Sequence, residues 1–377
     1  MVTYPEDWKE VLIGDIYQIK RGQVLATSKI SPIKNATNKF PVYSSQTLKN
    51  GLLGYFNQYL FSDGITWTTD GANAGTTKYR EGKFYCTNVC GVLSSQVGYA
   101  NICMAEIINI ETPKYVSYVG NPKLMSNVVS KISIILPPLQ EQQAISSVLS
   151  DFDEHIDNLT MLIEKKKAIR DGALEDLVSG RTRLEGFGGE WNNVKLSDFA
   201  QINPPSSLPD IFKYVDLESV KGISLESWRV ERRETAPSRA KRLAQQGDIF
   251  FQTVRPYQRN NYLFDLPDED FVFSTGYAQL RTENNARFLF LLLRQDAFVN
   301  EVLDNCTGTS YPAINPSRLA DINIYVPVDI CEQQAIADIL SSMDEEIEAL
   351  ELEKAKMIQI REGAMDDLLT GRVRLKV

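Results

Sequence analysis

A stretch of 44 residues occurs twice in this chain. Residues 141–184 and 332–375 align at a constant offset of 191 without a gap, and 22 of the 44 positions are identical. Both copies must fold alike, so the repeat fixes the architecture before any local argument. The likeness fades outward. Residues 132–137 resemble 322–327, with one residue inserted before the second copy, and 8–15 resemble 191–198. Between these stretches lie two long segments with little in common. The organisation is therefore variable, repeated, variable, repeated: 1–136, 137–185, 186–326 and 327–377.

Each repeat reads as one long amphipathic helix. Apolar residues recur at Ile145, Leu149, Phe152, Ile156, Leu159, Ile163, Ala173 and Leu177, and at Ile336, Leu340, Met343, Ile347, Leu350, Met357, Ala364 and Leu368. Spacings of three and four give a heptad seam. About 40 residues would make a helix of about 60 Å. Such a narrow stripe cannot stand alone in water. The nearest partner is the other copy, and antiparallel pairing is expected because a whole globular segment separates the first helix from the second. Gly180 and Gly371 should cap the C-termini. Gly172 and Gly363 inside the helices predict a kink or a close backbone approach.

The variable segments carry period-2 runs rich in Val, Ile, Tyr, Phe and Thr at 40–43, 64–69, 83–93, 105–110, 131–136, 247–254, 271–281 and 321–326. These predict strands, and an apolar run at 286–304 predicts a helix. The fold class expected is α+β, with two globular domains joined by two long helices in an antiparallel coiled coil and a pseudo-twofold repeat.

Chemistry is limited by what is missing. The chain has one histidine, His155, which lies on the polar side of the first helix and rules out most histidine-dependent nucleophilic machinery. No phosphate-binding G-x-x-x-x-G-K-[ST] loop occurs. Asn203-Pro204-Pro205-Ser206 lacks the aromatic ring that the N-P-P-[FY] motif of amino-methyltransferases needs. Glu218-Ser219-Val220-Lys221 spaces its charges to opposite faces of a strand, unlike a nuclease site. Five cysteines (Cys86, Cys90, Cys103, Cys306, Cys331) are an odd number, which fits reduced, buried thiols in a cytoplasm rather than a disulfide framework or zinc site. No apolar run approaches a membrane span, and residues 1–8 do not read as a secretion signal.

Charge is segregated. Net charge is −9 overall: +4 over 1–135, −4 over 136–185, −3 over 186–326 and −6 over 327–377. Yet 16–62 holds six basic residues and no acid, and Arg clusters recur at 229–242 and 255–259. Interleaved Ser, Gln, Asn and Tyr suit phosphate and base-edge contacts. The candidate DNA-binding residues are Lys20, Arg21, Ser44, Ser45, Gln46, Lys49, Asn73 and Lys78 in the first segment. In the second they are Arg232, Arg239, Arg255, Tyr257 and Arg259.

This constellation resembles the specificity (S) subunit of type I restriction-modification enzymes. The resemblance rests on Pro137-Pro138-Leu139-Gln140-Glu141-Gln142 before the first helix and Ser179-Gly180-Arg181 after it, on Glu332-Gln333-Gln334 and Thr370-Gly371-Arg372 in the second copy, and on Trp8 and Trp191 opening the variable segments. Val328-Asp329-Ile330-Cys331 departs from the first copy and puts that helix start in doubt. The resemblance implies two target recognition domains reading the halves of a bipartite DNA target, with the helices setting the unread gap. It implies double-stranded DNA, two modification (M) subunits and two restriction (R) subunits as partners, in the cytoplasm. It implies no catalysis and no cofactor on this chain, since S-adenosylmethionine, ATP and Mg belong to the partner subunits. The helix ends, with Arg181, Arg372, Glu141 and Glu332, are the implied docking surface. The alternatives are a recognition module of another restriction class and a coiled-coil adaptor that binds no DNA.

Overall fold

The structure is a computed structural model that describes residues 4–45, 48–268 and 270–376. The chain divides into two compact units, Met1–Met161 with Glu351–Val377, and Leu162–Leu350. Both boundaries fall inside the long helices, Leu139–Val178 and Ile330–Leu369. Each unit thus owns one globular segment and part of each helix.

In the first unit a six-stranded sheet runs in the order Gln18–Arg21, Cys90–Ser94, Phe61–Thr68, Thr77–Cys86, Phe40–Tyr43, Leu52–Phe56. Lys9–Leu12 pairs antiparallel with Ser133–Leu136, which brings the start of the globular segment to the strand that enters the long helix. A core of Ile65, Trp67, Met104, Ile108 and Ile132 packs against Ile145, Leu149, Leu368 and Leu369 of the helices. Asp153 meets Arg361 and His155 meets Glu353, so residue numbers rise along one helix as they fall along the other. The pairing is antiparallel.

The second unit repeats the frame with different contents. Trp191–Lys195 pairs antiparallel with Asn323–Pro327 ahead of its helix. Two four-stranded sheets follow. One runs Gln201–Ile202, Tyr277–Arg281, Ile249–Gln252, Tyr262–Leu263, and the other Arg229–Arg232, Ile211–Val215, Phe271–Ser274, Ala240–Leu243. Phe250 and Phe273 stack between them with ring centroids 3.6 Å apart. Lys166 meets Glu346 and Arg170 meets Asp344, again an antiparallel register. The heptad positions Ile163, Leu177, Ile336, Leu340 and Ile347 are buried.

Three expectations need correction. Residues 105–110 lie in a helix, Ile102–Glu111, and form no strand. Asn101 caps it by accepting from the Met104 amide, and burial of Met104, Ile107 and Ile108 at helical spacing outweighs the β-branched composition. The helix expected over 286–304 is two, Ala286–Leu292 and Asp296–Asp304. Both long helices run through Gly172 and Gly363 unbroken, and a Cβ at either would meet nothing within 4 Å, so these glycines serve no close approach.

Gly180 and Gly371 do end the helices in the left-handed region, at φ +74° and +71°. A Cβ at Gly180 would lie 3.1 Å from the Trp191 ring, and one at Gly371 would lie 2.5 Å from Pro5. Cys86, Cys90 and Cys103 are buried free thiols, Cys306 is half-buried and Cys331 exposed. Burial pushes the Cys103 thiol above its ordinary pKa. Among the described residues no helix is long and apolar enough to cross a membrane.

Candidate nucleic-acid interface

Glu141 and Glu332 are buried, and each is clamped by an arginine from the tail that follows the other helix. Arg374 grips Glu141 at 2.5 and 2.8 Å, and Arg183 grips Glu332 at 2.6 and 2.8 Å. Fork-on-carboxylate pairing is the strong geometry for such a contact. Trp8 donates its indole N–H to Glu141 at 2.9 Å, whereas the indole N–H of Trp191 has no partner among the described residues. Hydrogen bonds to Asp7 first and Glu141 next raise the Arg374 pKa above its ordinary value. The adjacent Gln142 and Gln333 are buried and donate to the carbonyls of Pro137 and Pro327. The Glu-Gln pair of each repeat is therefore internal structure.

Glu141 and Glu332, expected at an exposed docking surface, are instead buried, with their carboxylates engaged inside their own units. Arg181 and Arg372 are exposed. Arg181 pairs with Glu175 and Asp176, and Arg372 with Asp366 and Asp367. The second helix begins normally despite its altered lead, since Asp329 caps it by accepting from the Cys331 amide at 2.9 Å. Arg183 and Arg374 lie within the repeat, and nothing in the sequence separates them from Arg181 and Arg372. Only tertiary geometry tells which arginine of Gly-Arg-x-Arg turns inward.

In the first unit Lys20 and Arg21 lie on the edge strand of the sheet. Lys20 is exposed. Arg21 is engaged by Asp70 at 3.0 Å, by the Asn88 carbonyl at 2.8 Å and by the Thr69 hydroxyl. It props the loop at 69–75 and is not a free cation. On that loop Asn73 donates to the Ser45 carbonyl, and Ser44 accepts from the Thr87 hydroxyl, so Ser44, Ser45 and Asn73 come together. Ser44 and Lys78 line one narrow crevice with Thr66, Thr68 and Arg80. The buried Arg80, a residue absent from the sequence candidates, stacks on Tyr43 at 3.8 Å and donates to the Asn50 carbonyl. Gln46 lies outside the described residues, as does the side chain of Lys49.

In the second unit Arg255, Tyr257 and Arg259 share the loop at 253–259. Arg239 approaches it through the turn at 274–277, its carbonyl accepting from the Thr275 amide while Thr253 bonds Gly276. Arg232 sits on the edge strand at the opposite side of its sheet from Ala240–Leu243, away from this loop cluster. Arg259 pairs with Asp296 at 2.6 Å, while Arg255 pairs with no acid among the described residues.

The two loops are built alike. The carbonyl of Thr69 accepts from Leu124 and the Gly71 amide donates to Pro122; likewise Thr253 accepts from Ile314 and Arg255 donates to Pro312. Each loop thus rests on a small hairpin, closed by Ser117 with Lys123 in one unit and by Thr307 with Ala313 in the other. Side chains on this shared frame differ at nearly every position. Among the described residues no cluster of three His, Cys, Asp or Glu is placed to hold a metal ion.

A family model described as type I restriction modification DNA specificity domain matches residues 5–167 and again 189–359. A Mycoplasma pneumoniae protein named as a type I specificity subunit is 28% identical over 88% of this chain and 88% of its own length. The Type I restriction enzyme MjaVIII specificity subunit of Methanocaldococcus jannaschii is 26% identical over 99% of this chain and 94% of that protein. The crystal structure of a type I restriction-modification S subunit from M. genitalium superposes with a TM-score of 0.65 at 17% identity, covering 98% of this chain and 97% of that one.

Proposed function

Because the chain belongs to the family of type I restriction-modification specificity subunits, we propose that it reads a bipartite, asymmetric DNA target, one half-site per unit, and carries no catalysis of its own. The observation that supports this most is the loop-and-hairpin frame built twice with different side chains. Gly71-Ala72-Asn73-Ala74-Gly75 occupies it in the first unit and Arg255-Pro256-Tyr257-Gln258-Arg259 in the second. Two unlike readers call for two unlike half-sites. Phosphate contacts would position each unit, and the exposed loop residues would touch base edges.

The repeated helices would supply two equivalent docking sites. Arg181 and Arg372 present the same exposed arrangement with acidic neighbours one turn back. Two copies of one modification subunit could therefore bind a single asymmetric chain, followed by two restriction subunits. S-adenosylmethionine, ATP and Mg would sit on those partners. The shared helix pair would set the unread gap between half-sites.

With a net charge of −9 the chain alone is expected to bind DNA weakly. Combined with its methyltransferase subunit it should bind duplex DNA with an affinity whose logarithm falls linearly with log salt, with a slope of about −0.9 per phosphate neutralised. Salt-titrated anisotropy on duplex DNA measures this. Binding that is absent, or indifferent to salt, contradicts the proposal and favours a protein adaptor. Methyl transfer by the isolated chain contradicts the non-catalytic role.

A further inference from the structure

The loop at 253–259 holds two arginines where its counterpart has glycines. Gly71 and Gly75 have φ +100° and +89°, and the positions that match them four residues apart, Arg255 and Arg259, have φ +55° and +56°. Left-handed backbone is easy for glycine and strained for arginine. A side chain kept there against that strain is kept for what its head group does. For Arg259 the structure answers within the fold: it pairs with Asp296 and reaches the Arg294 carbonyl. For Arg255 no acid answers. Its guanidinium lies over the ring of Tyr311, 4.4 Å from the centroid, and Tyr311 is itself 63% exposed on the supporting hairpin. The Arg255 amide donates to the Pro312 carbonyl and the Ile314 amide to that of Thr253, so the backbone that joins loop and hairpin places guanidinium and ring together.

A phosphate requires only positive charge. A guanidinium held over an exposed ring, whose donors meet no hydrogen-bond acceptor among the described residues, is prepared for two acceptors side by side. The base edge that offers two acceptors in the major groove is guanine, through O6 and N7. Resting on the DNA-recognition reading above, we infer that Arg255 reads a guanine in the half-site of the second unit and that Tyr311 is the positioning residue that aims it.

The test is selection from a random duplex library by the full chain bound to its methyltransferase subunit, with sequencing of the retained DNA. Arg255→Gly suits the left-handed backbone, so it should melt no lower than wild type. It should keep the preferences of the other half-site, lose a guanine at one position, and weaken binding to the wild-type site about 5- to 150-fold. Tyr311→Phe should keep the guanine preference and Tyr311→Ala should relax it. If Arg255→Gly fails to fold, Tyr311→Ala decides by the same readout, since it leaves the loop backbone alone. Uniformly weaker binding with every base preference intact would assign Arg255 to a phosphate and overturn the inference, as would an unchanged motif. A wild-type complex that selects no motif overturns the DNA-recognition reading itself, a result distinct from either.

Discussion

Replacing Arg183 with alanine should destabilise the chain by about 3–4 kcal/mol, because it strands a buried carboxylate. The Glu332 side chain is 1% exposed, and Arg183 is its only side-chain partner among the described residues. Its counterpart has a second donor: after Arg374→Ala, Glu141 still accepts from the Trp8 indole. The Arg374 change should therefore cost less than the Arg183 change. Glu332→Met should also cost less, because Arg183 is 31% exposed and can turn to water when its partner is gone. The double substitution Arg183→Ala with Glu332→Met should recover most of the loss. Urea unfolding of the four variants measures the order. Equal losses for Arg183→Ala and Arg374→Ala would show that the indole contributes nothing and that the clamps act through some other contact.

Phe273→Ala should cost about 3–5 kcal/mol, the range for emptying an aromatic site in a packed core. Phe273 is fully buried, stacked on Phe250 at 3.6 Å and edge-on to Phe264 and Tyr277. Tyr262 stacks on it as well, so four rings surround Phe273 and none can move in without leaving its own contacts. Phe273→Leu, which keeps most of the volume, should cost clearly less. Thermal melts of the two variants check this, and equal losses would mean that ring stacking rather than filled volume holds this core.

The long helices were legible because two independent signals agreed on them, the heptad spacing of residues such as Ile145, Leu149, Ile336 and Leu340, and the repeat itself. Their antiparallel sense followed from connectivity alone. The globular segments were less readable. Strands of two residues, such as Gln201–Ile202 and Tyr262–Leu263, carry no period, and the partner of Gln201–Ile202 lies far off in sequence at Leu280 and Arg281. The run at 105–110 has strand composition, and its helical state depends on a cap and on a core that sequence alone does not display. Gly172 and Gly363 read as breaks in the sequence, but helix pairing on either side carries the backbone through them.

The candidate interface was readable by residue type and unreadable by partner. Basic loops stood out from composition, but which cations are already neutralised is a tertiary fact. Arg21 and Arg259 have carboxylates beside them, and Arg255 has a tyrosine. Tyr311 and Arg80 carried no signal in sequence, since an isolated tyrosine and an arginine within a strand look ordinary. Glu141 and Glu332 looked like surface charge on a helix, and only the crossing of each tail to the other helix start reveals them as buried anchors.

The most direct measurement of the central claim is methylation sequencing of a host genome that carries this gene beside its methyltransferase gene, compared with the same host lacking only this gene. The account predicts one asymmetric two-part motif with an unread gap, methylated when the gene is present and unmethylated when it is removed. Methylation of the same motif in the absence of this gene would contradict it.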